Sequence, residues 1–131
     1  MMNSHRIAIC GLIWLLPVVT MAGPADSEIQ YLLESIGQSE CVFVRNGKAH
    51  DATEAESHLR MKYDSARSHV DDSEEFIERI ASKSSWSEKP YLIDCPDADR
   101  QRSRDWLLEK LAAYRHANSQ QSLPPQNSSA P

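Results

Sequence analysis

The chain has 131 residues, 40% hydrophobic and 25% charged, a composition that fits one globular domain and leaves too little length for two. Its 14 Lys and Arg against 19 Asp and Glu give a net charge of −5. That balance argues against a sequence-independent nucleic-acid binder, which needs a basic surface for phosphate contacts, and no internal repeat points to a solenoid.

In chain order, residues 1–22 read as a secretory signal peptide. Met1 to Arg6 carries one firm positive charge, Ile7 to Val19 is an apolar run, and Thr20-Met21-Ala22 supplies small residues for cleavage after Ala22, with Ala25 as the alternative. The run is shorter than the roughly 20 apolar residues of a spanning helix, so no stable membrane span is expected after cleavage. Ser27-Glu28-Ile29-Gln30 then reads as a capping box with Ser27 as N-cap. It opens a helix whose Ile29, Leu32, Leu33 and Ile36 fall on one face and which Gly37 ends. Cys41-Val42-Phe43-Val44-Arg45 is a short strand stopped by the turn pair Asn46-Gly47. Asp51-Ala52-Thr53-Glu54 caps a long helix with Ala55, Leu59, Tyr63, Ala66 and Val70 on its buried face. Asp72 caps a third helix, with Phe76, Ile77, Ile80 and Ala81 inward. Ser82 to Lys89 is a serine-rich polar loop, Tyr91-Leu92-Ile93 a second short strand, and Trp106, Leu107, Leu111 and Tyr114 mark a last helix. Asn118 to Pro131 is mostly Ser, Gln, Asn and Pro, too polar to offset its ordering entropy, and reads as a disordered tail.

The expected fold is α+β: a mostly helical single domain over residues 26–117, with a small two-stranded antiparallel ribbon and the order α-β-α-α-β-α. Two cysteines remain after the signal, Cys41 and Cys95, and an even count in an oxidising compartment argues for one disulfide. Cys41 opens the first strand and Cys95 follows the second. Only antiparallel pairing sets them opposite each other, because a parallel pair would separate them beyond the reach of a disulfide. Phe43 then falls near Ile93, and Arg45 near Tyr91.

Several segments together carry a family resemblance: Glu28-Ile29-x-Tyr31-Leu32-Leu33, Phe43-Val44-Arg45-Asn46-Gly47, His58-Leu59-x-x-Lys62, Phe76-Ile77, Ala81-Ser82-x-Ser84-Ser85 and Pro90-Tyr91. From about Asp26 to Arg115 the chain resembles the YfeK-like family of small exported Gram-negative bacterial proteins of uncharacterised function. Glu88 stands where that pattern carries glycine. The resemblance implies a periplasmic address and a shared fold, and it brings no activity, substrate or cofactor.

The familiar chemistries find little footing. There is no Gly-x-Ser-x-Gly elbow or Ser-x-x-Lys for a serine nucleophile. There is no C-x-x-C redox pair and no His-Glu-x-x-His. With four glycines in the whole chain there is no glycine-rich phosphate loop. No metal and no cofactor is expected.

Glu54, His58 and Lys62 step by four along the second helix, a spacing that stacks them as a charged ladder. Arg45 adds a planar donor fork suited to carboxylate or phosphate, and the serine loop adds hydroxyls. Arg45, Asn46, His58, Lys62, Ser84 and Ser85 therefore form the candidate ligand-binding set, for an anionic or hydroxyl-rich ligand. The alternative use of the same groups is structural, with Arg45, Asn46 and the serines tying the loop to the ribbon. Trp86 beside the loop fits either a partner surface or a lid on the core. The function read from these residues is a periplasmic, non-enzymatic binding or accessory protein. Its partner would be an unidentified envelope protein or a small anionic ligand. The alternative is a small envelope hydrolase using a serine of the 82–87 loop with His58.

Overall fold

A computed structural model describes residues 23–122. The signal-peptide reading of 1–22 falls outside those residues, as does the tail from 123 onward.

Helix α1 runs over Pro24–Gly37. Gly23 is its N-cap and Pro24, with its pre-set φ, opens the first turn. Ser27 therefore lies inside the first turn and is not the cap that its Ser-x-x-Gln spacing suggests. The predicted stripe holds, with Ile29, Leu32, Leu33 and Ile36 all buried.

Strand β1, Val42–Arg45, is followed by a reversal in which Asn46 and Gly47 take φ of 51° and 77°. Two successive left-handed residues are what a tight hairpin needs, and Asn-Gly supplies them with least strain. The turn leads straight into β2, Lys48–His50, which pairs back on β1 with Phe43 opposite His50 and Arg45 opposite Lys48. Asp51 then caps α2, Ala52–Ala66, accepting from the Glu54 backbone N–H at 2.8 Å. A 3₁₀ turn at Arg67–His69 ends the helix earlier than its apolar spacing implied, yet Val70 still reaches the core. Asp72 caps α3, Ser73–Glu75, which continues as a π-helix over Phe76–Ala81. The expected inward residues Phe76, Ile77, Ile80 and Ala81 are buried.

The serine loop leads to β3, Leu92–Asp94, then β4, Gln101–Arg102, and α4, Ser103–Gln121. Residues 118–121 thus extend a helix instead of belonging to a tail. They are exposed, and the Ser122 N–H closes the end on the Asn118 carbonyl.

The sheet is four-stranded and antiparallel, in the order β2-β1-β3-β4. This corrects the two-stranded ribbon and the α-β-α-α-β-α order. The central pair is the expected one: Phe43 faces Ile93, and the register places Cys41 beside Cys95, joined in a disulfide with Cα atoms 4.1 Å apart. The two added strands are edges of three and two residues. Such short edges offer little template for pairing with another chain.

Side chains alternate across a strand, so Phe43, His50 and Ile93 point to the helical side, and Arg45 shares their parity. The core there includes Leu32, Leu33, Ile36, Phe76, Ile77 and Leu107. Phe76 meets Tyr63 edge-on at 5.5 Å between centroids, and Phe43 meets Trp106 the same way at 6.3 Å. A polar node ties the termini of the fold together. Arg115 of α4 donates to Glu28 of α1 and Glu74 of α3, while the buried Ser73 hydroxyl donates to Glu28 at 2.7 Å. The Glu28 carboxyl is held below the usual carboxylate range, chiefly by the Arg115 bond.

Candidate functional site

Strand parity puts Arg45 on the inner face at the last residue of β1, where the hairpin leaves the core. Its guanidinium is half-buried, and among the described residues it meets no carboxylate. Instead its Nη1 lies 2.9 Å from Nδ1 and 2.7 Å from Nε2 of His58, shared between the two ring nitrogens. A ring in that position is a tolerable neighbour for a cation only while neutral. Burial first, then the charges of Arg45, Lys62 and His50, push the His58 pKa down.

Lys62, one turn further along α2, has its ammonium fully occupied. It donates to the Ile80 carbonyl at 2.7 Å, to the Lys83 carbonyl at 3.3 Å and to the Tyr91 hydroxyl at 3.3 Å, and it lies over the Tyr91 ring at 5.2 Å. Burial and Arg45 lower its pKa. The charged ladder of α2 is therefore not made. Glu54 pairs with His50 at 3.2 Å, His58 turns to Arg45, and Lys62 clamps the end of the π-helix and the start of the serine loop.

The loop over 82–90 is held by its own hydroxyls. The buried Ser82 hydroxyl donates to the Ile77 carbonyl, and the Tyr91 N–H donates to the Ser82 carbonyl at 2.8 Å. The Ser84 hydroxyl, also buried, accepts from the Trp86 and Ser87 backbone N–H groups, both at 3.3 Å. Asn46 joins hairpin to loop, its amide donating to Ser84 at 3.4 Å and its carbonyl accepting from the Ser87 hydroxyl. Glu88 sits at φ of 58° and pairs with Lys83. That left-handed conformation is the one glycine takes most cheaply.

All six residues singled out from the sequence, Arg45, Asn46, His58, Lys62, Ser84 and Ser85, line one open cavity of about 360 Å³, together with Trp86 and Tyr91. They play different parts in it. Lys62, Asn46 and Ser84 hold the walls together. Arg45 stands without an acid, Ser85 is exposed, and the Trp86 ring is 95% exposed at the rim. Among the described residues no base accepts a proton from Ser84, whose oxygen is occupied by N–H donors, so it lacks what activates a serine nucleophile there.

A second, larger and mostly apolar cavity of about 590 Å³ lies between α2 and the inner face of the sheet. Arg45, His58 and Tyr91 line both cavities. Sequence reasoning missed this one, because it is a gap between elements and no residue pattern announces a gap. Among the described residues no cluster of three His, Cys, Asp or Glu side chains is placed to hold a metal ion, and no helix is long and apolar enough to cross a membrane.

A family of unknown function, DUF5329, matches residues 24–115, from the first turn of α1 to the middle of α4. The chain belongs to this family. An uncharacterised protein, YfeK, from Salmonella typhimurium is 37% identical over 92 residues, covering 69% of this chain and 77% of that protein. No solved structure matches. The family match spans every strand, the disulfide and both cavities, so the site belongs to the part of the chain that defines membership.

The neutral His58 has a measurable consequence. Its folded pKa lies below its ordinary value of about 6.5, so the unfolded chain binds the extra proton first as pH falls. Stability is unaffected by this group above that value and drops progressively below it. The urea midpoint of the wild-type protein is expected to fall between pH 7.5 and 5.5, and His58→Gln is expected to flatten that part of the profile. The Glu28 contribution is separable, since it is lost only at the more acid pH of carboxylate titration.

Proposed function

We propose that this protein is a non-enzymatic binding or accessory protein of the bacterial cell envelope, exported to the periplasm, that holds a small anionic or polar ligand at Arg45. One observation carries the reading: a half-buried guanidinium with no carboxylate partner, facing a cavity it shares with a second cation, in a chain of net charge −5. Nineteen acids are available, and none is folded against it. Taking two cations partly out of water without a counter-charge is unfavourable, and a bound anion removes that cost. Arg45 supplies a planar fork matched to carboxylate or phosphate. The exposed Ser85 hydroxyl and the Trp86 ring offer further contacts at the rim. The Cys41–Cys95 disulfide fits an oxidising compartment, as the N-terminal signal reading requires.

The test is calorimetric titration of the protein with inorganic phosphate and with acetate at low ionic strength. Millimolar binding is expected, abolished by Arg45→Gln and weakened by salt. Failure of both anions to bind, or binding indifferent to Arg45→Gln, overturns the reading.

A further inference from the structure

Two residues on the wall of the larger cavity carry polar atoms that the fold itself leaves unserved. Among the described residues the Ser103 hydroxyl, on a residue only 1% exposed, and Nε2 of His50 are buried without a hydrogen-bond partner, and both residues line this chamber. Unpaired buried polar groups are uncommon in folded proteins and each calls for an explanation. Both residues belong to the wall of one cavity, although neither polar atom is itself exposed to it. The rest of the lining is largely apolar, with Phe43, Ala55, Leu59, Met61 and Tyr91 prominent. A volume of about 590 Å³ lies inside the range of roughly 300–1,000 Å³ typical of small-molecule sites, which combine apolar walls with a few convergent polar groups.

The chamber also has a charged end. Arg45 lines it as well as the polar cavity, and the acid on its rim, Glu54, is engaged by His50. An apolar molecule with no charge would leave Arg45 as it is. A molecule with an anionic head and an apolar body satisfies both halves at once.

We propose that the chamber between α2 and the sheet receives the alkyl body of an amphipathic carboxylate whose head rests on Arg45, its body lying against Phe43, Ala55, Leu59 and Met61. The head position rests on the anion reading given above, and the chamber adds the body. An entering chain displaces the water from the apolar walls, and that displacement is the source of the gain.

The experiment is a calorimetric series on the intact protein with acetate, hexanoate, octanoate and decanoate, with 1-octanol as the uncharged control. Affinity is expected to rise about fourfold per methylene until the chamber is full, the equivalent of about 0.8 kcal/mol per buried CH₂. Octanoate is expected to bind at least tenfold tighter than 1-octanol, and Arg45→Gln is expected to remove that preference. Ser57→Trp, at an exposed position of α2 lining the chamber, is expected to flatten the chain-length dependence. If octanoate binds no tighter than acetate while Arg45→Gln still abolishes acetate binding, the chamber proposal is overturned and the anion reading stands. If 1-octanol matches octanoate and neither responds to Arg45→Gln, the chamber holds neutral molecules and the amphipathic anion is wrong. If no carboxylate binds, the chamber proposal falls, and the anion reading falls with it if inorganic phosphate also fails to bind. Where a variant fails to fold, the wild-type series still decides the chamber: octanoate no tighter than acetate, or 1-octanol equal to octanoate, overturns it.

Discussion

Replacing both cysteines, Cys41→Ser with Cys95→Ser, is expected to cost this domain about 4 kcal/mol of stability, the chain-entropy value for freeing a loop of this length. The bridge spans a sequence separation of 54 residues and closes it at the centre of the sheet, between the residue before β1 and the residue after β3. Everything from the first hairpin through α2 and the π-helix lies inside that loop. Without the link, the unfolded chain regains the freedom of the whole segment. For a domain near 100 residues each kcal/mol moves the melting temperature by about 4–8 °C, so a fall of roughly 15–30 °C is expected. Thermal and urea melts of wild type with and without reductant, beside the double variant, make the comparison. A loss under about 1 kcal/mol would mean that the unfolded chain is already compact around this pair.

The bridge also explains why so much of the site could be read from the linear sequence. Two cysteines flanking two β-rich runs admit one pairing direction, and that direction fixes Phe43 on Ile93. Once this register is set, Arg45 must arrive beside Tyr91, at the foot of the serine loop. The His58–Lys62 face of α2 comes to the same place because α2 follows the hairpin directly through the Asp51 cap. The disulfide, the period of two, the α2 cap and the bonds of the serine loop together gather six side chains around one cavity.

The features that escaped have different causes. β2 and β4 are short and carry Lys, Ala, His, Gln and Arg, residues with weak strand preference. Their pairing comes from the turn and from neighbours: Asn46-Gly47 folds Lys48–His50 back on β1, and the Ser103 N–H holds the chain to the Tyr91 carbonyl at 2.9 Å. The Asn-Gly pair was the available signal for β2, since it forms hairpins more readily than it terminates a lone strand. The π-helix buries the same four residues that an α-helix would, so their pattern could not tell the two apart. The charged ladder of α2 failed because Arg45 and the Ile80 carbonyl, distant in sequence, offered His58 and Lys62 better company than their own helix did. The apolar chamber depends on how far α2 stands from the sheet, which no local pattern encodes.

Lys62→Met is expected to destabilise the fold by about 2 kcal/mol, whereas Arg45→Gln is expected to change stability by less than about 0.5 kcal/mol. The two cations stand side by side in one cavity, yet their surroundings differ. The Lys62 ammonium serves three acceptors on three separate segments, and the shortest bond, 2.7 Å, caps a carbonyl of the π-helix that has reached its last turn. Methionine keeps the apolar stem over Tyr91 and removes only the charge and its donors. The Ile80 carbonyl is then left wanting a partner, and bonds to charged groups of this kind contribute about 1.5–3 kcal/mol. Among the described residues Arg45 serves no acceptor but the His58 ring, and its charge opposes that of Lys62. Removing it relieves a repulsion and breaks no strut. Urea unfolding of both variants at one pH separates the roles, and phosphate titration of the same two samples completes the contrast. Lys62→Met should keep the anion response if it folds, because its ammonium is committed to the protein, while Arg45→Gln should lose it and melt like wild type. The reverse pattern, a stable Lys62→Met that no longer binds, would make Lys62 the ligand cation and Arg45 the strut, and would exchange the two assignments on which the proposed site is built.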